Sequence, residues 1–177
     1  MRSIRRSAAV AELLSLERTN AVITALRIEP LASHPEVLSE LQAWFEEEWP
    51  SYYGAGGPGN AHADLRAYSN SVGLPFGVVA FVDGSLCGSA VLKADSIATL
   101  AHLSPWAAAG LVRRDLRGRG IGQQLVSALE ERAKVMGFDQ IYCATGTAGR
   151  LLQRSGWRLS ERFIHEGEAL GIYEKAL

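Results

Sequence analysis

Leu111-Val112-Arg113-Arg114-Asp115-Leu116-Arg117-Gly118-Arg119-Gly120-Ile121-Gly122 carries the end of an apolar run through a basic, glycine-rich turn and straight into a helix-forming stretch. Upstream, residues 106–112 read as a strand. Downstream, Ile121, Leu125, Ala128, Leu129 and Met136 share one face of a helix over 120–136, which Gly137 stops. Gly118, Gly120 and Gly122 admit backbone conformations closed to other residues, so successive N–H groups converge on an anion at the positive end of the helix dipole. Arg117 and Arg119 are placed to add charge-assisted hydrogen bonds. The run lacks the Lys-Ser/Thr ending of a P-loop, and its alternate glycines do not fit the G-x-G-x-x-G dinucleotide spacing. The competing reading is a solvated charged loop, which leaves three alternating glycines at a helix start without a reason.

Outward from this stretch, the flanks supply a mixed sheet. Residues 77–82 and 86–92 are two strands joined by Asp83-Gly84, a hairpin signal. Before Leu74-Pro75, Asn60 is placed to cap a helix, and residues 51–59 (SYYGAGGPG) are too glycine-rich for regular structure and read as a mobile loop. Val37, Leu38, Leu41, Trp44 and Phe45 mark an earlier helix ending at Trp49-Pro50, with Ser33 and Glu36 at capping-box spacing and Pro35 in its first turn. Residues 21–29 alternate as a first strand closed by Pro30. On the other side, residues 140–144 are a fifth strand, 147–154 a short helix ended by Gly156, and 157–164 with 169–175 a closing hairpin. This order predicts an α/β (α+β) fold: a mostly antiparallel sheet of about seven strands flanked by about four helices, parallel around the 120–136 helix. Residues 21–177 read as one domain. Residues 1–20 read as an extension with a loose helix, since Glu12 interrupts the apolar stretch a targeting peptide would need.

Composition narrows the function. The 18 basic and 19 acidic side chains nearly cancel, unlike the clustered basic excess of a nucleic-acid binder. No apolar run approaches the ~18 residues of a membrane span. Cys87 and Cys143 lie in apolar runs with no CxxC or Cys/His cluster, so no metal set is expected, and both read as buried thiols of a cytoplasmic protein.

Read from Arg117 to Gly122, Arg-x-x-Gly-x-Gly resembles the pyrophosphate motif of the GNAT superfamily of N-acetyltransferases, and the element order extends that resemblance over roughly residues 22–177. The resemblance implies acetyl-CoA as cofactor and direct attack by an acceptor amine in a ternary complex. By it, Leu111 and Val112 offer backbone groups to the acetyl and pantetheine portions, and Arg117, Gly118, Arg119, Gly120, Ile121, Gly122 and Gln123 hold the pyrophosphate. The family's later signature, Tyr-x-x-x-Gly-Phe, is here Leu152-Gln153-Arg154-Ser155-Gly156-Trp157, keeping the turn and the aromatic but not the tyrosine; the asparagine often found seven residues before it is Thr145. Two other readings therefore stand beside the enzyme: a non-catalytic acyl-CoA sensor or interaction module, and a nucleotide-phosphate binder. A small-molecule or protein amine as acceptor, and a homodimer, stay open.

Acetyl transfer calls for a base to free the amine and an acid for the departing sulfur. Of Glu46, Glu47 and Glu48, only Glu48 continues the stripe set by Leu41, Trp44 and Phe45, which makes it the candidate catalytic carboxylate, against a solvated helix end. Asp95, at a strand exit, is a second acidic candidate. His34 falls in the first helical turn, and His62, His102 and His165 have no metal-like spacing. Trp49, Tyr52 and Tyr53 lie where the resemblance places one wall of the acceptor site, and an aromatic wall attracts a cationic amine; core packing competes for Trp49. Leu152 has no proton to give, which leaves water, the attacking ammonium, Ser155 or Tyr142 as the source.

Overall fold

Asp83 and Gly84, both at positive φ (50° and 78°), fold β2 (Phe76–Val82) back on β3 (Ser85–Lys93) as the hairpin signal requires. The computed structural model describes residues 26–165 and 167–177. The expected extension over 1–20 and the beginning of the expected first strand lie outside the described residues. Around the hairpin a seven-stranded sheet runs β1 (Leu26–Pro30), β2, β3, β4 (Trp106–Val112), β5 (Gln140–Thr145), β7 (Glu168–Ala176), β6 (Arg158–His165). Only β4 and β5 are parallel. Pro30 stays inside β1, because an edge strand tolerates a residue with no N–H for the ladder.

Both faces of β2 and β3 are covered, which is why these strands read as continuous apolar runs. Val78 and Ala80 face α4 (Ile121–Val135) and α5 (Gly149–Arg154), in a cluster with Ile121, Leu125, Leu129 and Leu152. Val79 and Phe81 face α1 (Leu38–Glu48) and α3 (Ala61–Tyr68), with Leu41, Phe45, Leu65 and Leu111. Asn60 caps α3 through Oδ1, which accepts from the Ala63 N–H at 2.9 Å.

Two local expectations are corrected. The capping box at Ser33 and Glu36 does not form: Glu36 pairs instead with His34 Nδ1 at 2.8 Å, and Glu29 takes His34 Nε2 at 2.6 Å. The chain makes two 3-10 turns, Leu31–Ser33 and Pro35–Val37, before α1 begins at Leu38. Nor is the 51–59 segment irregular throughout, because Pro50 opens a one-turn helix, α2 (Pro50–Tyr53), at the position where proline's fixed φ is preorganised.

Two features shape the centre of the molecule. In β4, Ala109 and Gly110 together oppose the single residue Ala90, with Ala109 at φ 48°; such a bulge bends and over-twists its strand. Between β4 and β5 there is one register pair, Trp106 with Tyr142, so the sheet splays open beyond it. The second feature is a polar tie at 7 % exposure: Glu130 of α4 accepts from Trp157 Nε1 at 2.7 Å and from Lys175 Nζ of β7 at 2.6 Å.

Candidate functional site

The splay leaves the β5-facing edge of β4 open. Gly110 is exposed in the middle of a central strand, and a Cβ there would meet nothing within 4 Å. This open edge runs through Leu111 and Val112 into the turn before α4. Gly118 and Gly120 stand at φ 78° and 85° with open space where a Cβ would project, so it is the backbone conformation, not crowding, that asks for glycine. Gly120 is the N-cap of α4 and supplies no capping side chain. The first N–H groups of this helix therefore have no intrahelical or capping partner and face the exposed turn. Ile121 is buried in the core at 1 % exposure and can offer only its backbone, whereas Arg119 and Gln123 are exposed. Gly122 is needed for closeness, since a Cβ there would lie 2.9 Å from Leu151 Cδ1 of α5.

Arg117 is engaged elsewhere. Its Nε donates to Val112 O at 2.8 Å, and its NH2 group donates to both oxygens of Glu48 at 3.0 and 2.9 Å. Glu48 thus sits at a cleft rather than fraying into solvent. The cleft, of about 270 Å³, is lined by Trp44, Glu47 and Glu48 of α1 and by Leu111–Asp115 and Arg117. Arg114 approaches Glu47 at 3.5 Å and Glu48 at 3.8 Å, while Arg113 is held by Asp115 at 2.8 Å.

The aromatic candidates divide. Trp49 stacks edge-on against Phe45 at 5.0 Å, and Tyr53 lies 5.6 Å from Phe45 and donates to Asp64 Oδ2 at 2.8 Å. Burial and the Asp64 carboxylate push the Tyr53 phenol well above its ordinary range. Tyr52 keeps 47 % exposure, edge-on to Tyr53. None of the three lines the cleft; the aromatic that does is half-buried Trp44, four residues before Glu48, which the helical stripe already contained. Leu152 is sealed in the core at 1 % exposure. His34, expected in a helical turn, lies between two 3-10 turns against Phe81 at 4.7 Å. Among the described residues no group of three or more His, Cys, Asp or Glu side chains is arranged to hold a metal ion, and no helix is long and apolar enough to cross a membrane.

A family model described as "Acetyltransferase (GNAT) family" matches residues 39–156. A search of curated proteins finds no match. Among solved structures, the chain is similar to an aminoglycoside 6'-N-acetyltransferase complexed with coenzyme A (TM-score 0.70, 14 % identity, 85 % of this chain and 96 % of that one). It is also similar to a GCN5-related N-acetyltransferase from Kribbella flavida (TM-score 0.68, 23 % identity, 86 % and 98 %). A third is yncA from Salmonella typhimurium, with its cofactor acetyl-CoA (TM-score 0.66, 13 % identity, 86 % and 94 %).

Proposed function

This chain belongs to the acetyltransferase (GNAT) family and is an acetyl-CoA-dependent N-acetyltransferase, and from that premise we propose which of its residues hold the cofactor and receive the amine. The observation that carries the proposal is the open β4 edge followed, across a turn over residues 113–119, by an uncapped helix start with two left-handed glycines. The residues fit the group: a pyrophosphate needs converging donors and positive potential, and a pantetheine chain needs backbone groups along an open strand edge. Arg117, Gly118, Arg119, Gly120, Ile121, Gly122 and Gln123 hold the pyrophosphate, and Leu111 and Val112 bind the pantetheine arm. When bound, the cofactor supplies a thioester as the acetyl donor.

The acceptor enters the cleft between α1 and the end of β4. Glu48 is the carboxylate that meets its nitrogen, and Trp44 is the apolar and π-rich surface beside it. Tyr52, exposed at the far end of α2, is the one member of the aromatic trio free to touch an extended acceptor. Because Arg117 grips both Glu48 oxygens, Glu48 takes a proton only after Arg117 turns toward a competing anion, and the phosphates of the cofactor are that anion. Binding of acetyl-CoA before the amine follows. Glu47, and Glu48 once Arg117 has turned away, favour a cationic acceptor, and aminoglycosides, named by the first structural relative, belong in the first panel screened beside peptides.

Gly120→Glu tests the cofactor site. The side chain projects into the open space above the turn, from a backbone conformation strained for any L-residue by roughly 1–2 kcal/mol, and it brings negative charge to the phosphates. Acetyl-CoA binding by calorimetry should be lost while the variant still melts cooperatively. Undiminished affinity would sink the assignment.

A further inference from the structure

We propose that Tyr173, on β7, holds the proton for the departing cofactor sulfur, in a sheet where Leu152 has none to give; the proposal rests on the cofactor site assigned above. In register, Tyr173 lies opposite Cys143 of β5, one residue past the rung at which β4 and β5 part. It belongs to the cluster of Ile121, Leu125 and Leu152, the face of the sheet that carries the phosphate turn. Its ring is seated between two glycines. A Cβ on Gly171 would stand 2.8 Å from its Cε2, and one on Gly149 would stand 2.1 Å from its hydroxyl oxygen. The hydroxyl therefore lies directly over Gly149, the first residue of α5. Two residues on, Leu151 meets Gly122 of α4, so the phenol lies at the start of α5, the helix that packs against the phosphate turn and borders the splay on the β5 side.

The Tyr173 hydroxyl is available. Among the described residues it has no hydrogen-bond partner, and it is not among the polar atoms sealed from solvent. Its neighbours are engaged or unsuited. Ser155 Oγ donates to Leu151 O at 3.1 Å, and Thr145 Oγ1 accepts from the N–H groups of Thr147 and Ala148 at 3.1 and 3.0 Å. Tyr142 points to the other face, 5.7 Å from Trp106. Burial pushes the Cys143 thiol up to about 12. In the transfer, Tyr173 gives its phenolic proton to the sulfur as the carbon–sulfur bond breaks. The amine nitrogen forms the new carbon–nitrogen bond and gives a proton to Glu48, which passes it to solvent. Solvent returns one to the phenolate, so thioester and amine end as thiol and amide.

A donor aimed at the sulfur stabilises the thiolate and lowers the pKa of the thiol, which gives a readout that needs no acceptor. The ionisation of CoA bound to the full chain is followed by thiolate absorbance in the wild type, Tyr173→Phe and Gly149→Ala; the last keeps the phenol but puts a methyl group where its oxygen lies. Both variants should bind CoA with affinity within about threefold of wild type and should ionise its thiol about one pH unit higher, a tenfold change in the equilibrium. Identical midpoints in all three proteins would overturn the proposal. If Tyr173→Phe fails to fold, Gly149→Ala decides alone. Wild-type protein that does not bind CoA would instead remove the cofactor site, and this proposal with it.

Discussion

Arg117 uses its guanidinium on this chain's own acceptors, the Val112 carbonyl and both oxygens of Glu48, although its place in the glycine turn suggested a phosphate ligand. Helical spacing alone led to Glu48, because it continues the stripe of Leu41, Trp44 and Phe45. Its partner was illegible, since Arg117 is 69 residues away in sequence. The two observations together make Glu48→Gln informative. The amide keeps the shape but holds Arg117 more weakly, so acetyl-CoA affinity should stay the same or rise, while turnover should fall by ~10²–10⁴, the range for losing a general base. Calorimetry and thiol release on one preparation separate the effects, and weakened cofactor binding with intact turnover would make Glu48 a purely structural partner of the turn. His34 allows a pH prediction. Hydrogen bonds donated to the carboxylates of Glu36 and then Glu29 raise its pKa above the ordinary 6.5. A raised folded-state pKa contributes stability that is complete below the unfolded value and is lost as pH climbs through the folded one. Melting temperature should therefore decline over a window opening near pH 6.5, and His34→Gln should flatten that decline. An unchanged slope in the variant would show that the ion pairs contribute nothing to folding.

At the level of elements, what the sequence made legible depended on side chains that signal through local geometry. Asp83-Gly84, Asn60 and Gly137 each act within a few residues, and each does what its chemistry predicts. The strand at Trp106–Val112 and the helix after Gly120 appear where apolar periodicity placed them. Misreadings arose where one residue had two possible partners. Glu36 has the spacing to serve the backbone at Ser33, but tertiary folding brings Glu29 beside His34, and the imidazole then bridges the two carboxylates. Pro50 carried a helix-start signal that the following glycines obscured. The bulge at Ala109 and Gly110 had no signal to read: alanine and glycine have no side chain that betrays a change of pairing, and a bulge is a relation between two strands. That bulge lies beyond Trp106, the β4 residue paired with β5, on the stretch of open edge where the cofactor is proposed to bind. Glu130 is a further case. Nothing in the local sequence marks it as buried, yet Trp157 and Lys175 supply the donors that let a carboxylate be buried at 7 % exposure.

For the whole molecule the consequence is a sheet of two arms. Strands β1 to β4 form one, β5 to β7 the other, joined by a single backbone rung, by the apolar core that both face, and by the ties of Glu130 to Trp157 and Lys175. A cofactor seated in the splay as proposed would bind Leu111, Val112 and the α4 turn on one arm and lie against Tyr173 on the other. Such a ligand binds the folded chain and has nothing to hold in the unfolded one. At a hundredfold excess over its dissociation constant it should stabilise the protein by about 2.7 kcal/mol, which for a chain of this size is roughly 5–10 °C in melting temperature. The location of the effect matters more than its size. Because the facing edges of β4 and β5 share one rung, hydrogen exchange in the presence of acetyl-CoA should slow at β4 and at β5 together, whereas a ligand that used only the phosphate turn would protect the start of α4 and leave β5 unchanged. Adenosine triphosphate is the control, since it offers phosphates to the turn but no pantetheine to the open edge. Equal protection of β5 by both ligands would show that the splay is not the pantetheine groove, and protection confined to α4 with acetyl-CoA would place the thioester away from Tyr173.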